Sequence, residues 1–380
     1  MPSRTANPRE VLVVAGPAHG DILLSTPLIS AVRRAYPAAA VDVLVYSGQA
    51  DILEGNPDVR EVLSASKHPG FGEYLRLLRR IFRRYDLAFS TKWTDRAVLY
   101  AVLAGRRRYA IVPPGRDAWK RRLTTGYVEY DHWRTHTLAQ NAALAAKAGV
   151  AAAAECVLPA RPEAPAVVDR LLGELRWQPL AVLHLNPGLP HKRWTPEGWG
   201  AVAAALDRRG FALVLTGDGS ASELDYLEAT IEHMPLRPLN LAGRLRFADL
   251  SELLRRAQLY VGTDTVASHL AAAAGTPTVA LFGPEPPAVW GPWPRDGRFD
   301  TTPFPAPGTQ RAGNVVVVQT DVPCATCRQG DCLRRRERQR SCRLMLTLTA
   351  EQVIAAIDAL VDGSEGSTAS APAGAARGSA

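Results

Sequence analysis

Short β-branched runs alternate with amphipathic segments of helical length, and the alternation occurs twice along the chain. In the first half, REVLVVA (9–15), VDVLVY (41–46), LAFS (87–90) and YAIV (109–112) read as strands. Between and after them, helices are predicted over 21–36, 75–85, 96–103 and 136–148. Residues 150–180, with PARPEAPA, read as a linker plus one helix. The pattern then restarts with strands at 181–186, 212–217, 258–262 and 278–283, and helices at 197–209, 221–233, 249–257 and 265–274. Apolar strands joined through helices imply parallel βαβ units, hence two doubly wound α/β domains. Ligands of such sheets sit at the carboxyl ends of the strands, so a cleft between the domains is the expected site.

A length of 380 residues with 47% hydrophobic content suits two globular domains. No apolar run is long enough to span a bilayer, and MPSRTANPRE leads into a strand without a signal-peptide core. The expectation is a cytoplasmic protein whose membrane contact is peripheral, on the inner-membrane face. The formal net charge of +8 suits an anionic partner, although charge alone equally fits an arginine-rich soluble protein. Thr349 and Gln352 have capping-box spacing ahead of a last helix, about 350–361, and the tail after it is low-complexity.

Two local motifs carry chemistry. In AGPAHGDILLSTP, Gly16 and Gly20 allow a tight turn after the first strand, and Asp21 stands at the start of a helix. Its carboxylate there is either a helix cap or a general base facing the cleft. In YVGTDTVASHLAAAAGTP, a strand ends at Gly262 and a helix begins near Asp264 and Thr265. The free N–H groups of such a helix end suit a diphosphate. Neither domain has a G-x-G-x-x-G after its first strand, and no phosphate loop of the G-x-x-x-x-G-K-(S/T) type occurs. Dehydrogenase and P-loop readings are therefore weak.

The segment from Val11 to Tyr46, with its HGD-x-L-L-x-T-P signature, resembles the opening of the family 9 glycosyltransferases, the lipopolysaccharide heptosyltransferases, and is most similar to the heptosyltransferase III type. LNPGLPHKRWTPEGW, LTGDGSASELDYL, NLAGRLRFADLSELL and the 260–284 segment resemble its nucleotide-sugar site. The resemblance covers about 9–362 and implies a GT-B architecture, two Rossmann-like domains facing across a cleft. Residues 1–165 would bind acceptor and 166–345 donor, followed by a helix over 346–362 and a disordered tail over 363–380. The implied reaction is inverting transfer of heptose from ADP-heptose to a sugar hydroxyl of the lipopolysaccharide inner core, with Asp21 as base and Lys192 offsetting charge on the leaving diphosphate. That chemistry requires no cofactor. Donor contacts fall on Asn186, Gly188, Gly217, Glu223 (ribose), Leu241 and Gly243 (adenine), Asp264, Thr265, Ser268 and His269. Acceptor contacts fall on His19, Gly20, Arg96 and His136. Trp194 and Trp199 read as packing residues.

On the acceptor side, EYLRLLRRIFRRYD carries Arg76, Arg79, Arg80, Arg83 and Arg84, with Leu75, Leu78, Phe82 and Tyr85 on another face. The apolar face would pack on the sheet and the arginines would suit a phosphorylated lipid A–core oligosaccharide or anionic headgroups. No nucleic-acid motif accompanies the charge. Cys324, Cys327, Cys332 and Cys342 form C-x2-C-x4-C-x9-C, which fits either a structural zinc or iron site or four free or partly paired thiols. Other readings are a family 9 transferase acting on an autotransporter or a secondary metabolite, or a non-catalytic nucleotide-sugar-binding protein.

Overall fold

Strand Glu10–Val14 (β1) has a parallel neighbour on each side, which is why its sequence is an unbroken apolar run rather than an alternating one. The computed structural model describes residues 7–115, 117–320 and 342–361. The other strands of the first sheet are Ala40–Tyr46 (β2), Glu61–Ala65 (β3), Tyr85–Ser90 (β4), Gly105–Val112 (β5) and Gly126–Glu129 (β6). Their order is β3-β2-β1-β4-β5-β6, all parallel. The second sheet comprises Leu180–His184 (β7), Ala212–Leu215 (β8), Leu239–Asn240 (β9), Leu259–Thr263 (β10), Thr278–Phe282 (β11), Gln310–Ala312 (β12) and Val315–Gln319 (β13). Its order is β12-β13-β11-β10-β7-β8-β9, parallel except for β12. Both expected doubly wound domains are present. Each reverses its winding once, between β1 and β4 in the first sheet and between β7 and β10 in the second, and such switch points open a crevice for ligands.

The strands not read from sequence are β3, β6, β9, β12 and β13. The first four are short and partly polar because they lie at sheet edges. The valines of β13 do carry a strand signal.

The expected 21–36 helix is two helices, His19–Leu23 (α1) and Thr26–Ala35 (α2). Pro27 cannot donate to Leu23 and its ring would crowd that carbonyl. The Ser25 and Thr26 hydroxyls instead donate to Ile22 O and Leu23 O, each at 2.7 Å. The break leaves Asp21 on a short independent turn. The basic helix is displaced from its expected span to Phe71–Ile81 (α3), so Phe82 caps it and is 57% exposed rather than packed. Ile81 takes the buried position. Arg76 and Arg79 are exposed, and Arg80 pairs with Glu61.

Helices Asp95–Ala104 (α4), Ala118–Leu123 (α5) and Thr137–Lys147 (α6) complete the first domain. Ala164–Leu172 (α7), Pro196–Asp207 (α8), Ala221–Ile231 (α9), Phe247–Arg256 (α10), Val266–Ala274 (α11), Pro287–Trp290 (α12), Arg343–Leu346 (α13) and Ala350–Val361 (α14) follow. The capping box forms: Thr349 N–H donates to Gln352 Oε1 at 3.0 Å, and Gln352 N–H to Thr349 Oγ1 at 3.3 Å. Helix α14 packs on α8, β11 and β13, within the second domain. Among the described residues no helix is long and apolar enough to cross a membrane. Cys324, Cys327 and Cys332 lie outside the described residues, while Cys342 is buried at the start of α13.

One hydrophobic cluster runs through both domains, from Val13 and Ile22 to Leu253 and Leu270. Polar ties reinforce it. Arg161, in the linker, donates to both carboxylate oxygens of buried Asp249 at 2.8 and 2.7 Å. His136, only 2% exposed, donates from Nε2 to Gly291 O at 2.7 Å and accepts from Leu138 N–H at Nδ1, 3.1 Å. Those two bonds require the neutral ring. His136 is thus a tie between domains with both nitrogens engaged, not the expected acceptor contact.

Burial pushes the His136 pKa down from 6.5 to about 3, the Gly291 carbonyl opposing. The folded value lies below the unfolded one, so this contribution is complete above the unfolded pKa and is lost as pH falls from 6.5 towards 3. His136→Ala should cost about 2 kcal/mol, because Gly291 O loses its donor. Urea melts at about pH 7 and about pH 4.5 should also show a smaller acid loss in the variant than in the wild type.

Candidate active site

Gly16 occupies the turn after β1 because nothing larger fits: an added Cβ would lie 2.5 Å from both Asp21 Cβ and Lys92 Cε. Asp21 rises from this turn in α1. The N-cap of α1 is Ala18, which makes no side-chain cap. The Asp21 carboxylate instead pairs with Lys92 Nζ at 2.6 Å, the two side chains 9% and 11% exposed. Lys92 comes from the turn after β4, the neighbour of β1 at the switch point. Its ammonium also lies 5.0 Å from the Trp290 ring of the second domain. Lys92 was not legible as a site residue, because only the β1–β4 pairing brings it to Asp21.

The turn holding Lys92 is pinned by Lys120, which is 1% exposed. The Lys120 ammonium meets Trp93 O at 2.7 Å, Asp117 at 2.8 Å and Asp95 at 2.6 Å, which uses all three of its donors.

The second switch point is built alike. Lys192 lies in a short turn, Pro190–Lys192, after β7, and Asp264 follows β10. Lys192 Nζ and Asp264 Oδ2 are 2.5 Å apart. Thr265 caps α11, its hydroxyl accepting from Ala267 N–H at 3.2 Å. Buried His269 stands on the first turn of α11 at the point where the domains meet: a Cβ on Gly20 would be 3.7 Å from its Cδ2. Burial lowers the His269 pKa, Asp264 and Asp21 oppose, and Lys192 adds to the lowering. Its Nδ1 is buried without a hydrogen-bond partner among the described residues. His19, on the outer side of α1, pairs with Asp51 at 3.3 Å and packs on Phe247 of the second domain, ring centroids 4.7 Å apart.

Several expected contacts have other duties. The Ser268 hydroxyl is buried and donates to Thr263 O at 2.7 Å, so it does not point to a donor. Arg96 stacks on Tyr46 and donates to Lys67 O at 2.8 Å, which fastens the loop after β3 instead of offering its guanidinium to an acceptor. Glu223 is buried and accepts Gly219 N–H at 2.7 Å, so its carboxylate orders the loop. Burial raises its pKa to about 7, with Asp218 adding and the Gly219 N–H opposing. Gly217 passes so close to Glu223 that a Cβ would sit 2.3 Å from Oε1. The amides of Leu241 and Gly243 donate to Leu215 O and Gly217 O, joining two loops, and that of Ala242 donates to Asn240 Oδ1. Asn186 accepts from Arg193 Nε at 2.8 Å, beside Gly188 at φ +66°. Trp194 and Trp199 are buried packing residues, in edge contact at 5.1 Å. Among the described residues no group of three or more His, Cys, Asp or Glu gathers for a metal.

Residues 121–299, which include Lys192, Asp264 and His269 but not Asp21 or Lys92, match the family model of glycosyltransferase family 9 (heptosyltransferase). The chain carries a glycosyltransferase family 9 domain. It is 29% identical to lipopolysaccharide heptosyltransferase 3 of Escherichia coli K12 over 299 residues, which is 72% of this chain and 83% of that protein. It is 26% identical to lipopolysaccharide heptosyltransferase 1 of Pseudomonas aeruginosa over 85% of this chain and 87% of that one. In fold it is similar to the family 9 glycosyltransferase of Veillonella parvula (TM-score 0.73, 18% identity, 94% and 98% of the two chains). It is also similar to E. coli ADP-heptose heptosyltransferase II (TM-score 0.67, 20% identity, 92% and 98%). The two facing parallel-sheet domains are the GT-B architecture, with a Lys–Asp pair at each switch point.

Gly16→Ala should push the Asp21–Lys92 pair out of place and lower glycosyl transfer by about 100-fold, since misplacing a reacting group by about 1 Å costs that much. Gly72→Ala, in open space on α3, should leave transfer unchanged and stabilise the protein by about 0.5–1 kcal/mol. Initial rates and denaturant melts on the two variants check this.

Proposed function

We propose that this enzyme is a heptosyltransferase of lipopolysaccharide core synthesis that transfers heptose from ADP-heptose to a sugar hydroxyl of the inner core with inversion. One observation carries the reading: Asp21 of the first domain and the Lys192–Asp264 end of α11 in the second are brought together where Gly20 meets His269. The curated relatives, named as lipopolysaccharide heptosyltransferases, support the sugar transferred and the pathway. A related fold described as E. coli heptosyltransferase WaaC with ADP supports the nucleotide.

Asp21 takes the proton of the acceptor hydroxyl as the freed oxygen attacks the anomeric carbon. The bond from that carbon to the phosphate oxygen breaks on the opposite side, so ADP departs with the added negative charge. Lys192 and the N–H groups at the start of α11 hold that charge. Lys192 gives up part of its contact with Asp264 to do so, and Lys92 likewise yields Asp21 to the incoming hydroxyl. Neutral His269, between the two pairs, offers its unpartnered Nδ1 to the donor. The exposed arginines of α3, Arg76 and Arg79, would face the anionic headgroups that surround a lipid-borne acceptor.

Asp21→Asn should lower kcat by about 10²–10⁴-fold and leave the ADP-sugar dissociation constant within about threefold. Lys192→Ala should weaken ADP binding as well as slow transfer. Stopped release of ADP with and without acceptor, together with mass spectrometry of the core oligosaccharide product, reads both; an Asp21→Asn enzyme with undiminished kcat would contradict the assignment.

A further inference from the structure

We propose that Trp93, with Tyr130 and His132, forms a stacking subsite for a sugar ring of the acceptor, directly beside Asp21. The inference rests on the glycosyl-transfer reading above and adds to it the place where the acceptor lies.

Trp93 follows Lys92 in the turn after β4, so its position is tied to the ammonium that holds Asp21. Tyr130 follows β6, two strands away, and its hydroxyl is close enough to Asp21 and Glu285 to feel both charges. The three rings make one group: Trp93 lies 6.3 Å from Tyr130 and 6.1 Å from His132, and Tyr130 meets His132 edge-on at 4.4 Å. Tyr130 is buried behind, whereas Trp93 keeps 38% of its surface exposed. The group lies at the carboxyl ends of the first sheet, after β4 and β6.

Both supports of the group are held rigidly. The Trp93 backbone is anchored by buried Lys120 through its carbonyl, as described above. The 131–135 turn is held by Asp131, which accepts from Trp133 N–H at 2.8 Å, Arg134 N–H at 3.1 Å and the Thr135 hydroxyl at 2.7 Å. Gln140 closes it by donating to Asp131 O at 2.9 Å and Thr135 O at 2.8 Å. A partly exposed indole whose backbone is held by a buried lysine offers a surface to a ligand at a reduced ordering cost. A pyranose fits its chemistry. One face of such a ring presents C–H groups to the indole, while the rim hydroxyls remain free for Asp21 and Lys92.

The test uses the full chain and, as probe, deacylated core oligosaccharide from a heptose-deficient lipopolysaccharide strain. Its binding and that of ADP are measured separately by calorimetry, with saturation-transfer NMR to show which sugar protons contact the protein. Trp93→Ala keeps the backbone carbonyl that Lys120 holds. It should weaken oligosaccharide binding about tenfold, leave ADP binding within about twofold and abolish the transfer signal on one ring face, with Trp93→Phe intermediate. Oligosaccharide binding equal to wild type in Trp93→Ala overturns the subsite, and so does a parallel loss of ADP binding. Wild-type protein that binds ADP but not the oligosaccharide overturns the lipopolysaccharide reading, and the subsite with it.

Discussion

Opposite charges meet where each sheet reverses its winding, and the site is organised around that fact. In the first domain the Asp21–Lys92 pair closes the ends of β1 and β4; in the second the Lys192–Asp264 pair closes the ends of β7 and β10. Pairs this deeply placed add little to stability, since removing two charges from water offsets most of their attraction. They do keep two carboxylates and two ammonium groups largely shielded from solvent, where electrostatic interactions are stronger than in water. A hydroxyl and a diphosphate entering that crevice exchange one set of charged partners for another.

The crevice depends on supports outside it. Lys120 fixes the turn that bears Lys92, Arg161 clamps the linker to Asp249, and His136 ties the start of α6 to the end of α12. Each is a buried or half-buried cation or ring that donates hydrogen bonds within the protein. Gly16 and Gly217 supply the opposite quality, allowing backbone and carboxylate to approach more closely than a side chain would permit. Glu223 illustrates how the two combine: Gly217 makes room for a buried carboxylate that then orders the following loop.

Much of this was legible in the chain. The doubly wound pattern, the Thr349–Gln352 box and the helix start at Thr265 are encoded locally, by apolar period and by cap residues within a few positions of each other. Asp21, Lys192 and His269 stand on turns that follow strands, which suffices to send them to the carboxyl ends of the sheets. Lys92 carries no local signal, because its meaning comes from Asp21, a partner remote in sequence. The residue types of Arg96, His136, Glu223 and Ser268 suit ligand contacts, yet each turns to a carbonyl, amide or ring of the protein itself.

The sequence by itself determined the alternation of the central strands with helices and the turns that carry chemistry, because these follow from backbone preferences over short distances. Only the tertiary structure decided which strands lie side by side, and therefore which lysine meets which aspartate and which aromatic rings gather next to them. Strand order is settled by burial of apolar faces between layers, a property of the whole sheet that no local stretch of residues contains.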